Sequence, residues 1–147
     1  MLSSLHSYSY FVYTLPDKFP SVQRSTLVLK PRSATVAELE GELEFSRGIV
    51  LRVLEVINFA TAILEYYSYE VCRGSDRLYW YDPQPHPDDP ALASTHPHHK
   101  HVPPDIKHHR LPAPGLSFNY PNLPFLIQEI EQIPSPPTCT LVLRHGL

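Results

Sequence analysis

The chain has few cysteines, no long apolar run and little net charge, and each shortage excludes a class of protein. Cys72 and Cys139 are the two cysteines among 147 residues. They form no Cys-x-x-Cys pair, so neither a disulfide framework nor a zinc ribbon is predicted. No segment approaches the ~18–20 apolar residues of a membrane span, and the first residues lack the charged and apolar regions of a signal peptide. We therefore expect a soluble, cytoplasmic protein with no membrane partner.

The formal net charge of −3 and the pI near 6.3 argue against a protein that coats duplex DNA through bulk positive charge. The charge is uneven, however. Residues 34–82 carry nine acidic and four basic side chains, whereas residues 96–110 carry Lys100, Lys107 and Arg110 against Asp105 alone. This local basic segment leaves RNA binding open as a function.

The prolines divide the chain into two parts. Fourteen of the 17 prolines lie between Pro83 and Pro137. We therefore expect one domain over residues 1–147, a common size for a single domain. It comprises an N-terminal arm (1–24), a proline-poor body, a Pro/His-rich segment (83–121) and a tail (134–147).

Alternation of polar and apolar residues predicts an antiparallel sheet. Residues 36–46 place four glutamates on one side and Leu39, Leu43 and Phe45 on the other, as in a half-buried strand. Residues 49–57 fit strand and helix, and their β-branched content favours strand. With the hairpin of residues 63–82 these segments form a four-strand meander over 36–82.

The flanking segments add less regular elements. Residues 25–30 resemble a further strand, and Tyr8–Tyr13 an edge strand or a loosely held arm. Asn122 caps a helix predicted over 122–133, and regular structure is not expected between Pro83 and Asn122. We expect residues 138–143 to form a last edge strand or a frayed end. The predicted fold is α+β: about five or six mostly antiparallel strands, a C-terminal helix packed on them, and a long Pro/His-rich loop. An exposed sheet edge also makes a homodimer a candidate assembly.

Histidines are concentrated in the proline-rich segment, where the run His96–His101 holds four imidazoles and one ammonium. Seven of the nine histidines lie there: His86, His96, His98, His99, His101, His108 and His109. Pro97 and the Pro103–Pro104 pair favour an extended path between them. On that path His99 and His101 point to one side and His98 and Lys100 to the other.

These residue types predict RNA cleavage without a metal or other cofactor. His99 and His101 would act as base and acid, and Lys100 or His98 would stabilise the charge on phosphorus. Tyr67, Tyr69, Trp80 and Tyr81 offer stacking faces for unpaired bases. Lys107 and Arg110, in the basic cluster that follows, are further candidates for phosphate contact.

Three other interpretations remain open. The aromatic residues are ordinary strand formers that fill a sheet. The imidazoles, joined by His86 or Asp82, supply three or four ligands for a divalent metal in a hydrolase, although their spacing matches no standard zinc signature. Alternatively, the histidine segment forms the interface of a non-enzymatic binding module, with prolines holding it extended.

Several short motifs resemble those of the TumE family of prokaryotic toxin–antitoxin proteins. They are Tyr67-Ser-Tyr69, Trp80-Tyr-Asp82, His86-Pro87, the Pro-His-His-Lys-His string 97–101 and the late Pro-Asn-Leu-Pro helix. The resemblance runs from about Gly41 to Gln132 and is strongest to a cyanobacterial-type branch.

The resemblance implies a small cytoplasmic toxin encoded beside a helix-turn-helix antitoxin, with RNA or the translation apparatus as the target. By motif position it also implies the site residues, which are Tyr67, Tyr69, Trp80, Asp82, His86, His98, His99, Lys100 and His101.

Overall fold

The computed structural model describes residues 1–135, and one open antiparallel sheet dominates this range. Three α-helices lie within it: α1 (Leu5–Tyr13), α2 (Leu15–Lys18) and α3 (Leu123–Glu131). Short 3₁₀ helices span Ser46–Gly48 and Pro90–Thr95. The eight strands are β1 (Arg24–Ser25), β2 (Val28–Pro31), β3 (Val36–Glu44), β4 (Ile49–Asn58), β5 (Ile63–Arg73), β6 (Asp76–Asp82), β7 (His99–His101) and β8 (Arg110–Pro112).

Strands β3 to β8 pair in sequence order, while β1 and β2 both pair with β3. The predicted antiparallel α+β fold with a four-strand meander over 36–82 is confirmed. The prediction that 49–57 is strand rather than helix is also confirmed, since β4 alternates between buried and less buried residues. The described residues contain more strands than the five or six predicted, because short pairings such as β1 and β8 leave little signal in sequence.

The two faces of the sheet differ in their cover. On one, here called the helical face, α1 and α3 pack on buried residues such as Leu39, Leu51 and Tyr69. Helix α3 buries the predicted stripe through Leu126, Ile127 and Ile130. The other, here called the open face, carries the predicted row of glutamates on β3 and no α-helix among residues 1–135. Within that same range, no helix is long and apolar enough to cross a membrane.

The N-terminal segment differs from its prediction. Tyr8–Tyr13 is neither an edge strand nor a loose arm, because it belongs to α1. The Ser4 side chain caps this helix by accepting a hydrogen bond from the Ser7 backbone N–H. Tyr8, Phe11 and Val12 are buried at the i, i+3, i+4 spacing of a helix face. This face anchors the segment on the sheet.

The segment between Pro83 and Asn122 is more ordered than predicted. Its extended path at His99–His101 is confirmed as β7, and β8 pairs with it, so the expectation of no regular structure before Asn122 is wrong. Asn122 occupies the N-cap of α3 as predicted but does not cap it. Its amide is buried and bonds Tyr69 and Ser117. The strand or frayed end predicted at 138–143 lies outside the described residues.

Gly41 is a position where only glycine fits the backbone. Its φ is +142°, and an added Cβ would lie 2.5 Å from the carbonyl oxygen of Thr26. We expect Gly41→Ala to lower the free energy of unfolding by roughly 2–4 kcal/mol, measured by urea denaturation. Gly48→Ala is the matched control, since Gly48 has φ +71° but no neighbouring atom within 4 Å. Equal losses in both variants would contradict the steric argument.

Candidate functional site

Three ionisable side chains converge on the open face where β6 and β7 pair. The register sets Asp82 opposite His99 and Trp80 opposite His101. The Nε2 atoms of His99 and His101 are 3.0 Å apart. Asp82 presents Oδ1 to His99 Nε2 at 3.2 Å and Oδ2 to His101 Nε2 at 3.1 Å. One carboxylate thus faces two imidazoles at close range.

The far side of each imidazole is fixed by the backbone. His99 Nδ1 lies 3.0 Å from the Pro97 carbonyl oxygen, and His101 Nδ1 lies 3.0 Å from that of Ile106. A carbonyl oxygen only accepts hydrogen bonds, so both Nδ1 atoms carry the proton and donate. His99 and His101 are 1% and 4% exposed, which limits their freedom to turn. In the neutral rings, both Nε2 lone pairs point into the cluster.

Asp82 is held as a carboxylate. Trp80 Nε1 donates to Oδ2 at 2.8 Å, and the backbone N–H of Gln84 donates to Oδ1 at 2.8 Å. Burial favours the neutral acid, but these hydrogen bonds and the two imidazoles together lower the pKa of Asp82. Burial, aided by His99, lowers the pKa of His101 despite the opposing charge of Asp82. Near neutral pH the cluster therefore joins an anionic carboxylate to a neutral His101.

Trp80 supports this cluster. Its ring stacks on His101 with centroids 3.8 Å apart, and its N–H holds Asp82. The Arg77 guanidinium lies 4.6 Å from the same ring. Trp80 therefore fixes the His101 ring and the Asp82 carboxylate and lies beside the Arg77 guanidinium.

An open cavity of about 350 Å³ lies against the cluster. Its lining is rich in cations and imidazoles and consists of Arg77, Trp80, Asp82, Gln84, His86, His101, Lys107 and Arg110. The His86 ring also packs on the edge of His99, with centroids 4.9 Å apart. Arg77 also pairs with Glu70 at 3.3 Å, and with Lys107 and Arg110 it makes three permanent cations at one small cavity, which favour an anionic ligand.

Seven of the residues named from sequence meet here, namely Trp80, Asp82, His86, His99, His101, Lys107 and Arg110. Tyr67 and Tyr69 do not join them. Both are buried on the helical face, where Tyr67 stacks on Tyr69 and contacts Phe118. They fill the core, as the interpretation of the aromatics as sheet residues predicts.

Lys100 and His98 also lie away from the cavity. Lys100 alternates to the helical face, where Nζ pairs with Glu129 at 3.2 Å and lies 4.1 Å from the Tyr79 ring. His98 hydrogen-bonds the Tyr67 hydroxyl and packs on Phe118. Both side chains connect the sheet to neighbouring elements of the core.

Sequence reasoning missed three residues of this region. Arg77 and Gln84 line the cavity, and Tyr66, 41% exposed, lies on the open face of β5. Tyr66 alternates with Ser68 and Glu70, and Glu70 pairs with Trp80. The nearby charge of Asp82, after burial, raises the pKa of Tyr66. The alternation of residues 63–73 could have identified Tyr66, because it places Tyr66 on the face opposite to Tyr67 and Tyr69.

Comparison with known proteins gives one family. The family model described as Toxin TumE matches residues 13–134, a range that includes every residue of the cavity and cluster. No curated protein and no solved structure matches the chain.

Proposed function

Because the chain belongs to the TumE toxin family and is thus the toxin component of a toxin–antitoxin system, we propose that it cleaves single-stranded RNA on the open face. The observation that carries this proposal is the meeting of Arg77, Lys107 and Arg110 with the Asp82–His99–His101 cluster around one cavity. The chain has a net charge of −3, so these cations form a local site and not part of a general basic surface.

The cations suit the RNA backbone. Guanidinium groups bind phosphate through paired hydrogen bonds, and a lysine adds a point charge. Arg77 and Arg110 lie on β6 and β8, on either side of β7, so a phosphate between them would sit above the cluster. The exposed ring of Tyr66 offers a stacking face for an adjacent base, a contact that tolerates any sequence.

The cluster acts as one unit in this proposal. An acid and a base that serve the same phosphodiester must lie on different sides of it. The two Nε2 atoms are only 3.0 Å apart and share Asp82, which leaves no room for a phosphate between them. We therefore assign His99 and His101 to a common ligand rather than to an opposed acid–base pair.

The toxin family implies an antitoxin partner. In line with the motif resemblance, we propose that this antitoxin is a helix-turn-helix protein.

The test compares binding and cleavage of RNA by the full chain. Lys107→Gln is expected to weaken binding of a mixed-sequence 2′-O-methyl RNA. It should also reduce the slope of log affinity against log salt concentration by about 0.7, which is the value for one lost phosphate contact to a single strand. Lys30→Gln, an exposed lysine at the opposite edge of the sheet, is the control and should leave both unchanged.

Cleavage of the unmodified RNA by the parent chain, after removal of contaminating nucleases, would support the proposal. No cleavage with any added divalent ion would reject it in favour of a non-enzymatic, partner-binding role. Equal RNA binding by the parent and Lys107→Gln would reject the cavity as the binding site.

A further inference from the structure

We propose that Asp82, His99 and His101 bind one divalent transition-metal ion of the Zn²⁺ type, through the carboxylate and the two Nε2 atoms. The site is distinct from the cationic lining of the cavity, because its three groups are acceptors. Only its catalytic role rests on the proposed ribonuclease activity.

The Nε2 atoms of both rings are directed into the cluster. Both Nδ1 atoms donate to backbone carbonyls, so in its neutral form each ring offers an Nε2 lone pair. These lone pairs face one another at 3.0 Å and face a carboxylate oxygen at 3.1–3.2 Å. Three acceptors at such distances repel one another unless a positive charge, carried by a proton or by a metal ion, lies among them. A metal cation supplies that charge to all three at once.

The spacing of the three groups also suits a metal ion. For bonds of about 2.0–2.2 Å to a metal, neighbouring ligand atoms in tetrahedral or octahedral geometry lie roughly 2.8–3.6 Å apart. The three contacts of the cluster, 3.0, 3.1 and 3.2 Å, fall in that range. Each imidazole lies beside a different oxygen of the carboxylate, so the two rings and Asp82 are already close enough to share one ion.

The groups around the three residues hold them as the outer shell of a metal site does. Metal-binding histidines commonly donate their second N–H to a carbonyl or carboxylate, and ligating carboxylates are themselves hydrogen-bonded. Both histidines meet the first condition through Pro97 and Ile106. Asp82 meets the second through Trp80 and the backbone of Gln84. A site built in this way is pre-organised before the ion arrives.

The ligand types define the class of ion. Two imidazoles and a carboxylate suit zinc, iron, cobalt and manganese, whereas magnesium prefers oxygen ligands and retains its water. Asp82 and His101 line the open cavity, so the remaining coordination positions are directed to solvent or substrate. In a ribonuclease, an ion there would polarise a phosphate oxygen held by Arg77 or Arg110.

The test measures metal binding to the full chain after bound metal has been removed. Calorimetry measures Zn²⁺ binding, and visible absorption measures Co²⁺ binding. We expect one equivalent of either ion to bind. The Co²⁺ complex should show d–d bands typical of mixed nitrogen and oxygen ligands, and Mg²⁺ should not displace Zn²⁺. Asp82→Asn and His101→Gln should each weaken Zn²⁺ binding by at least the roughly 10–100-fold that loss of an outer-shell partner costs. His108→Gln, which changes an exposed histidine, should bind as the parent does.

The outcomes separate this site from the RNA proposal. Equal Zn²⁺ affinity in the parent and in a folded Asp82→Asn variant, checked by circular dichroism, would overturn the metal site. Loss of Zn²⁺ binding in His108→Gln would also overturn the metal site, because it would show that the ion binds among exposed histidines. Specific metal binding without RNA cleavage keeps the metal site and rejects the ribonuclease. RNA cleavage that a chelator leaves unchanged keeps the ribonuclease and overturns the catalytic role of the ion.

Discussion

Asp82→Asn is expected to reduce RNA cleavage at least 100-fold while the sheet remains folded. The substitution keeps the size of the side chain but removes the charge that faces both imidazoles, at 3.1 and 3.2 Å. The buried core lies on the other face of the sheet, so the loss concerns the site more than the fold. Initial rates on a mixed-sequence single-stranded RNA measure the effect, with circular dichroism as the folding check.

His108→Gln is the matched control for the cluster. His108 pairs with Asp105 on the surface, and it lies outside the proposed machinery although it belongs to the same histidine-rich segment. We expect cleavage at the parent rate in this variant. If Asp82→Asn also cleaved at the parent rate, the reaction centre would have to be sought elsewhere on the molecule.

Glu55→Gln is expected to change how stability depends on pH. Glu55 is fully buried on the helical face, where the Tyr8 hydroxyl donates to its carboxyl oxygens at 2.5 and 2.9 Å. Burial raises the pKa of Glu55 to about 7, against an ordinary value of 4.5, despite these hydrogen bonds. The folded chain therefore holds a proton that the unfolded chain releases between these two values.

The sign of the effect follows from this difference. The contribution of Glu55 to stability is greatest below pH 4.5 and declines as pH rises to about 7, by roughly 3 kcal/mol in all. A glutamine does not titrate. From pH 5 to pH 8 we therefore expect the unfolding free energy of Glu55→Gln to gain about 2 kcal/mol relative to the parent.

Urea denaturation of both chains at pH 5 and pH 8 measures this change. Glu40→Gln removes an exposed carboxylate on β3 and controls for the loss of one negative charge. If parent and Glu55→Gln differed by the same free energy at both pH values, the buried carboxyl would have an ordinary pKa, and the expectation would be wrong.

Much of the sheet was predictable because apolar and polar residues alternate with a period of two along most of β3 and β4. Leu39 and Leu43 mark the buried side of β3 from sequence alone. The same rule separated His99 and His101 from Lys100, and β7 confirms that separation. The alternation does not show which face the helices cover, because that depends on where α1 and α3 pack. For this reason Lys100, Tyr67 and Tyr69 were expected at the site and lie on the helical face instead, the two tyrosines in the core and Lys100 beside Glu129.

Other features depend on contacts between distant parts of the chain. The short strands β7 and β8 form in a segment of low strand propensity because β6 offers them an unpaired edge. The groups that orient the imidazoles are the backbone carbonyls of Pro97 and Ile106, and the types of the side chains do not reveal such contacts. Helix α1 was missed because its aromatic residues fit both a helical and a strand period. The buried Glu55 that accepts a hydrogen bond from Tyr8 lies 47 positions away.

The brevity of β7 makes the site sensitive to strand alignment. This strand has three residues, and it alone presents both histidines to Asp82. A shift of one residue against β6 would turn His99 and His101 toward the helical face and bring Lys100 into the cavity. The two imidazoles and the ammonium group would exchange faces without breaking the sheet. The assembly of the cluster is therefore a property of backbone pairing over a single short strand, and conditions that loosen β7 would disable the site while most of the fold persists.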